Sequence, residues 1–446
     1  MDSRFRGEQA RATWRVSPAL ALGLVIFVPL VCTATRPAFG QEASPGTHDR
    51  PKAGPLSLED AVDRALAASP SLRAASAGID AARGSERQAG LLPNPELSFE
   101  AEDFKGSGQY REFDSAQYAY SVSQEIQLGG KRSARRSIAR AEREAAEFGS
   151  QATRLELIQA VTIAYFEAAA ADRSLALAEE LEGIAKRVLN NVNERVKAAR
   201  EPDIQLAKAE VALATASSAR QRAENARDAA RQALARYWGD ITLSDQISTA
   251  DLYTLPMPEA LDIYQARLSY SPDIVRFTRL RDAREADHRL ARAEAVPDPK
   301  LSVGFRQYRD TRDDALVAGI SIPFPVFNRN QGDIARARAE VVKADSERQQ
   351  AELDQARALS QAWSQWRSAS VDAASLRERI LPQGEKAFRL ALTAYDTGRF
   401  SYLEVLDAQR TLFEARTEQI DALKRLHISR AEVERLAPAS RNPAAK

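Results

Sequence analysis

Glu404 and Asp407 stand three residues apart in a stretch that reads as one helix, so both carboxylates project from the same face. A close-set acidic pair attracts cations, although on most helices such a pair simply faces water. More polar residues gather at two sharp breaks in the helical pattern. One break holds Lys197, Ala199, Arg200, Glu201 and Pro202; the other holds Tyr395, Asp396, Thr397, Gly398, Arg399, Phe400 and Ser401. Charges facing each other across such breaks can link helices, each exposed pair being worth about 0–1 kcal/mol. Nothing else in the sequence suggests chemistry. His48, His288 and His427 are scattered, and Cys32 is the single cysteine, which excludes disulfides and thiolate metal sites. No Ser/His/Asp arrangement is present, so neither an enzyme, a resident metal nor a cofactor is expected. Gly129-Gly130 lacks the spacing and the Lys-Ser/Thr ending of a phosphate loop. Trp363 and Trp366, three apart, are expected to anchor packing rather than to cage a ligand.

The elements that position these residues begin after a leader. Arg4, Arg6, Arg11 and Arg15 precede the apolar run from Ala19 to Val31, and Ala38-Phe39-Gly40 supplies small residues for cleavage after Gly40. A signal peptide over 1–40 is therefore expected. Val31 before Cys32 argues against lipidation there. The full chain has a formal charge of +1, and without its leader it is near −2. That balance excludes nucleic acid as a natural partner. Hydrophobic residues make up 44%, mostly Ala and Leu among Arg, Glu and Gln, which signals long helices and coiled coil.

One unit of about 200 residues occurs twice. Ser69-Pro70-Ser71-Leu72 returns as Ser271-Pro272-Asp273-Ile274, and Leu92-Pro93-Asn94-Pro95 returns as Val296-Pro297-Asp298-Pro299. Leu206-Ala207-Lys208-Ala209-Glu210 matches Val405-Leu406-Asp407-Ala408-Gln409. The expected organisation is a flexible lead at 41–55, repeats at 56–238 and 258–436, a link at 239–257 and a tail at 437–446. Each repeat reads as a helix (58–91; 258–295) stopped at Pro-x-Pro, an extended hairpin, and a very long helix (131–200; 330–397). A polar break and a last helix (203–237; 401–436) complete it. At 1.5 Å per residue each long helix spans about 100 Å. Gly183 and Pro382, at one repeat position, predict a bend or discontinuity in both long helices. Gly129-Gly130 and Asn328 are expected to make the sharp turns from strand to helix.

The hairpins alternate with period two. Leu97, Phe99 and Ala101 oppose Ser98, Glu100 and Glu102; Tyr118, Tyr120 and Val122 oppose Ala119, Ser121 and Ser123. The second copy does the same with Leu301, Val303 and Phe305, then with Leu316, Ala318, Ile320 and Ile322. Such strands suit either a half-buried sheet or an outer-membrane barrel wall. An exported chain with four strands beside very long helices favours the barrel. Four strands cannot close one, so protomers must share it.

With Leu92-Pro93-Asn94-Pro95, Gln124-Glu125-Ile126-Gln127-Leu128-Gly129-Gly130-Lys131-Arg132, Ile322 to Gly332 and Thr397-Gly398-Arg399, the chain resembles the TolC family of outer-membrane efflux proteins. Within that family it is similar to the heavy-metal branch typified by CzcC. The resemblance implies a mainly α fold, with long helical hairpins forming an α-barrel. It also implies a homotrimer whose three sets of four strands make one 12-stranded β-barrel in outer-membrane lipid. The implied partners are a periplasmic adaptor and an inner-membrane pump of the RND type. The implied roles are a pore entrance at Glu404 and Asp407, and gate contacts among Tyr395, Asp396, Arg399, Lys197 and Arg200. Adaptor-docking tips would then fall at 199–202, Thr397, Gly398, Phe400 and Ser401. The first copy departs from the family's tip glycine, having Arg200-Glu201-Pro202 there. An exported coiled-coil adaptor or scaffold is the alternative, and it would carry Gly-rich β domains instead of duplicated hairpins.

Overall fold

The computed structural model describes residues 54–439, apart from Ser244, Gly398 and the side chain of Asp396. The expected signal peptide, Cys32, His48, nearly all of the lead and most of the tail lie outside the described residues.

The first repeat comprises α1 (Leu58–Ala68), α2 (Pro70–Ala89), β1 (Glu96–Glu102), β2 (Gln117–Glu125), α3 (Lys131–Lys197) and α4 (Asp203–Ala235). The second comprises α5 (Leu261–Arg267), α6 (Pro272–Glu294), β3 (Lys300–Tyr308), β4 (Asp314–Ser321), α7 (Gln331–Ser375), α8 (Leu381–Asp396) and α9 (Tyr402–Leu436). The leading helix of each repeat is divided, contrary to the single helix expected from the sequence. Ser69 and Ser271 take extended backbone angles before Pro70 and Pro272, which open new helices at their first turn. Proline forces its predecessor out of the helical region but is well suited to a first helical turn.

No discontinuity occurs at Gly183, where α3 runs unbroken through 67 residues. Glycine weakens a helix by only about 1 kcal/mol and removes no donor. Proline removes one, and in the second copy a π-helical turn at Leu376–Ile380 lies directly ahead of Pro382. The strand-to-helix turn of the second copy also differs from expectation. Asn330, not Asn328, takes the left-handed conformation (φ 59°), while the Asn328 side chain accepts its backbone N–H at 2.9 Å. In the first copy Gly129 and Gly130 both have positive φ. A Cβ on Gly129 would also lie 3.1 Å from the Ala293 carbonyl and 3.2 Å from Val296.

The four strands form one antiparallel sheet in the order β1-β2-β3-β4. Leu97 pairs with Val122, Val122 with Val303, and Val303 with Ala318, so the apolar positions of all four strands share a face. That face is open: Leu97 is 80% exposed, Val303 55% and Ile320 65%. Phe99, Tyr120 and Phe305 form an aromatic row across it, adjacent ring centres 5.0 Å apart. Among the described residues no helix is long and apolar enough to cross a membrane.

The largest core lies midway along the long helices, where the link between repeats crosses them. Val161, Tyr165 and Phe166 of α3 pack with Leu359 and Trp366 of α7 and with Leu423 and Leu426 of α9. The Tyr165 hydroxyl lies 3.2 Å from the Leu56 carbonyl and 2.8 Å from that of Ser248, tying the segment ahead of α1 to the link. Trp366 and Trp363 donate their indole N–H groups to Pro256 and Glu259 carbonyls at 3.0 and 2.9 Å, which makes them anchors of the link.

Candidate functional site: the helical tips and the open sheet

Both helical hairpins end in a tightly closed turn. After α3 the Arg200 N–H reaches back to the Arg195 carbonyl at 2.8 Å and the Ala199 N–H to Val196 at 2.9 Å, with Ala199 at φ 55°. This is a Schellman closure with alanine where glycine is usual. After α8 the equivalent bond runs from the Arg399 N–H to the Ala394 carbonyl at 2.8 Å. Gly398 itself lies outside the described residues. The first-copy turn therefore survives the loss of its glycine, carried by Ala199 and by Pro202 ahead of α4. A left-handed alanine costs about 1–2 kcal/mol. Ala199→Gly is expected to raise the melting temperature of the detergent-solubilised protein, and Ala199→Val to lower it. Equal melting of all three would contradict a strained turn.

Behind the turns, α3 and α8 are locked together. The Tyr395 hydroxyl donates to Glu201 Oε1 at 3.1 Å, and the Arg195 guanidinium lies over the Tyr395 ring at 4.4 Å. Arg195 also approaches Glu201 at 3.6 Å. Tyr395 and Tyr402 are buried among Val192, Ala209, Ala391 and Val405. Burial pushes both phenols up, that of Tyr402 to about 12 with the neighbouring Tyr395 and Glu201 adding to it. Glu201 Oε2 is buried without a hydrogen-bond partner.

The structure thus brings Tyr395 and Glu201 together, but through Arg195 rather than Lys197 or Arg200. Lys197 pairs with Glu194 on its own helix at 3.0 Å. Arg200, Pro202, Thr397, Arg399, Phe400 and Ser401 are exposed at the tips. Arg195 and Tyr402 escaped the sequence reading, although Tyr395 and Tyr402 flank one break at the spacing of two helical turns.

Glu404 and Asp407 are both exposed on one face of α9. Ser401 caps that helix, accepting the Leu403 N–H at 3.3 Å and donating to the Glu404 carboxylate. This serine–glutamate pairing resembles a capping box. The Ser401 hydroxyl holds the Glu404 carboxyl below its usual range, so it is ionised at neutral pH. Asp407 stands one turn on, followed by the Arg410–Glu414 pair.

A sheet with a bare apolar face and two free edges, carried on hairpins of very long helices, is the architecture of an outer-membrane channel subunit. Solved channels share it. VceC of Vibrio cholerae matches with a TM-score of 0.71 at 20% identity, over 85% of this chain and 95% of that one. CusC, whose crystal structures address folding and transmembrane channel formation, matches with a TM-score of 0.73 at 20% identity, over 86% and 92%. The family model of outer membrane efflux proteins matches residues 61–240 and again 263–437, once for each repeat. The chain belongs to the outer membrane efflux protein family. It is 31% identical over 404 residues to the cobalt-zinc-cadmium resistance protein CzcC of Cupriavidus metallidurans, covering 91% of this chain and 93% of the relative. Its place is the outer membrane, with the long helices extending into the periplasm. The adaptor alternative gives way to this family match.

Proposed function

We propose that three copies assemble into a single export channel for heavy-metal cations, with no catalytic role. One observation carries the shared barrel: β1 and β4 each have one partner in the sheet, while the apolar face beside them is exposed. Unpaired strand edges are not tolerated in hydrocarbon, and four strands cannot close. Sheets of several copies joined edge to edge satisfy both demands, and three is the number that the resemblance to the TolC family implies. The name of the similar CzcC, a resistance protein for cobalt, zinc and cadmium, supports divalent cations as cargo. Glu404 and Asp407 line the periplasmic entrance in this reading. The tips at 199–202, Thr397, Gly398, Phe400 and Ser401 receive a periplasmic adaptor, which joins the channel to an inner-membrane pump of the RND type. Cross-linking in mild detergent should give a three-chain species. A stable monomer that still conducts ions would rule this assembly out.

The Arg195–Tyr395–Glu201 group serves as a latch at the entrance, with the exposed Arg200 and Arg399 available to a neighbouring protomer. Removing one hydrogen bond costs about 1 kcal/mol, which is roughly fivefold in an opening equilibrium. Tyr395→Phe is therefore expected to raise the open fraction in single-channel recordings several-fold without changing assembly. An unchanged open fraction would assign the group to tip stability alone.

A further inference from the structure

The duplication supplies a template for the strand pairing that the protomer leaves unmade. The first hairpin pairs Leu97 with Val122 and Phe99 with Tyr120; the second pairs Leu301 with Ile320 and Val303 with Ala318. Leu97 therefore corresponds to Leu301, Phe99 to Val303, and Val122 to Ile320. Between the hairpins, the outgoing strand of one repeat meets the incoming strand of the next: Val122 lies opposite Val303, and Ser123 opposite Ser302. In a closed ring of repeats every outgoing strand meets an incoming one. Among the described residues, β4 and β1 are the two strands that lack that partner.

We infer that β4 of one protomer pairs antiparallel with β1 of the next in the register of the β2–β3 pair, placing Ile320 opposite Phe99 and Ser321 opposite Ser98. This rests on the trimeric reading and specifies its contact residue by residue. The same register sets Ile322 opposite Leu97 and Ala318 opposite Ala101, so each apolar side chain of β1 meets another on one face. A slip of one residue would turn one strand's apolar set to the wrong face, which strands with one buried face do not tolerate. A slip of two keeps the faces, and there the template decides. In the β2–β3 pair Gly304 lies opposite Ser121, where a Cβ on the glycine would come within 2.7 Å of the Ser121 Cβ. The inferred register puts Glu100 opposite Gly319 at this level, so the glycine has changed strands and the pair keeps one small member.

The periplasmic corner follows the same logic. Within the protomer the Leu128 N–H donates to Asp298 Oδ1 at 2.7 Å, and Lys131, the first residue of α3, binds Asp298 Oδ2 and the Val296 carbonyl. At the seam Asn94 corresponds to Asp298, and Gln331 opens α7 as Lys131 opens α3, with Arg329 two residues ahead of it. Leu92, corresponding to Val296, is 64% exposed in the protomer and becomes covered at that corner.

Disulfide trapping tests the register, and the unsubstituted chain, with Cys32 alone, is the background control. The full chain carrying Ser98→Cys and Ser321→Cys, oxidised in outer-membrane preparations, is expected to give covalent dimers and trimers on non-reducing gels. Because disulfides require close Cα atoms, the yield should exceed that of Glu100→Cys with Ser321→Cys, or Glu96→Cys with Ser321→Cys, by about tenfold. Ser123→Cys with Ser302→Cys, the template pair, should close within one chain and report that the compartment oxidises such pairs. Stronger cross-linking of a shifted pair overturns the register and leaves the trimer standing. So does a trimer in mild detergent that none of the seam pairs cross-links while the template pair closes. A chain that remains monomeric overturns both.

Discussion

Neutralising Glu404 and Asp407 together, as Glu404→Gln with Asp407→Asn, is expected to remove most of the channel's preference for cations. Three protomers would set these residues as two rings of carboxylates one helical turn apart. Such rings hold divalent cations weakly enough for release and repel anions. Potentials of several kT at a constriction make a loss of about tenfold in divalent block a fair expectation. The substitutions are chosen with the local structure in mind. Glutamine can take the place of Glu404 in the contact with Ser401, so the start of α9 should persist. The repeat supplies the comparison, because the positions corresponding to Glu404 and Asp407 hold Gln205 and Lys208. One hairpin per protomer thus offers a paired acidic face and the other does not. The measurement is the reversal potential in a salt gradient, with zinc or cobalt added on the tip side. Unchanged selectivity and block in a well-assembled double variant would place both carboxylates on a solvated outer face.

Lowering the pH should loosen the region where the repeats and their link meet, through His427. Its ring is 2% exposed and lies parallel to Phe166 at 3.9 Å. Nε2 is 3.0 Å from the Leu252 carbonyl, which can only accept, so Nε2 carries the proton of the neutral ring. Nδ1 is buried with no hydrogen-bond partner, so a second proton would bring an unpaired charge into the core. Burial, with Arg430 adding to it, pushes the imidazole down to about 4 from 6.5, against the raising effect of the Leu252 carbonyl. The folded protein therefore binds this proton less readily than the unfolded chain. The stability it contributes is full above pH 6.5 and is lost as the pH falls toward 4. The complete shift corresponds to about 3 kcal/mol, and roughly 2 kcal/mol of it should be gone by pH 5. Melting of the detergent-solubilised protein at pH 7.5 and 5 measures this, with His427→Phe as the variant that cannot titrate. The variant should be less stable at pH 7.5, having lost the bond to Leu252, but should lose less on acidification. Parallel losses in both proteins would assign the acid sensitivity to carboxylates elsewhere.

Much of this architecture was legible in the residues because its signals are periodic or repeated. The alternation of Leu97 to Glu102 and of Leu301 to Arg306 marks two-faced strands, and the structure pairs them on one apolar face. The long helices end within a few residues of the expected breaks, since Arg200-Glu201-Pro202 and Thr397-Gly398 interrupt the Ala/Leu pattern. What escaped was local detail that depends on a competing effect. Ser69-Pro70 looked like a marker inside a helix, yet proline's constraint on the preceding serine divides it. Gly183 and Pro382 share a repeat position but not a consequence, since only proline removes a backbone donor. At the tips Tyr395 and Glu201 were visible as polar residues beside a break. Arg195 was not, because its partner lies on another helix far along the chain and periodicity says nothing about such pairs. The burial of His427 was hidden for the same reason: one histidine in a helix makes no cluster, and its environment is built by Phe166 and Leu252 from distant segments.

Trimeric export is read out most directly by the conductance of the purified full chain in a planar bilayer, with its mass determined in the same detergent. A three-chain particle is expected that inserts in discrete conducting steps, prefers cations and is partly blocked by divalent cations added on the tip side. A folded particle of three chains that never conducts, even with Tyr395→Phe releasing the tip, would contradict trimeric export.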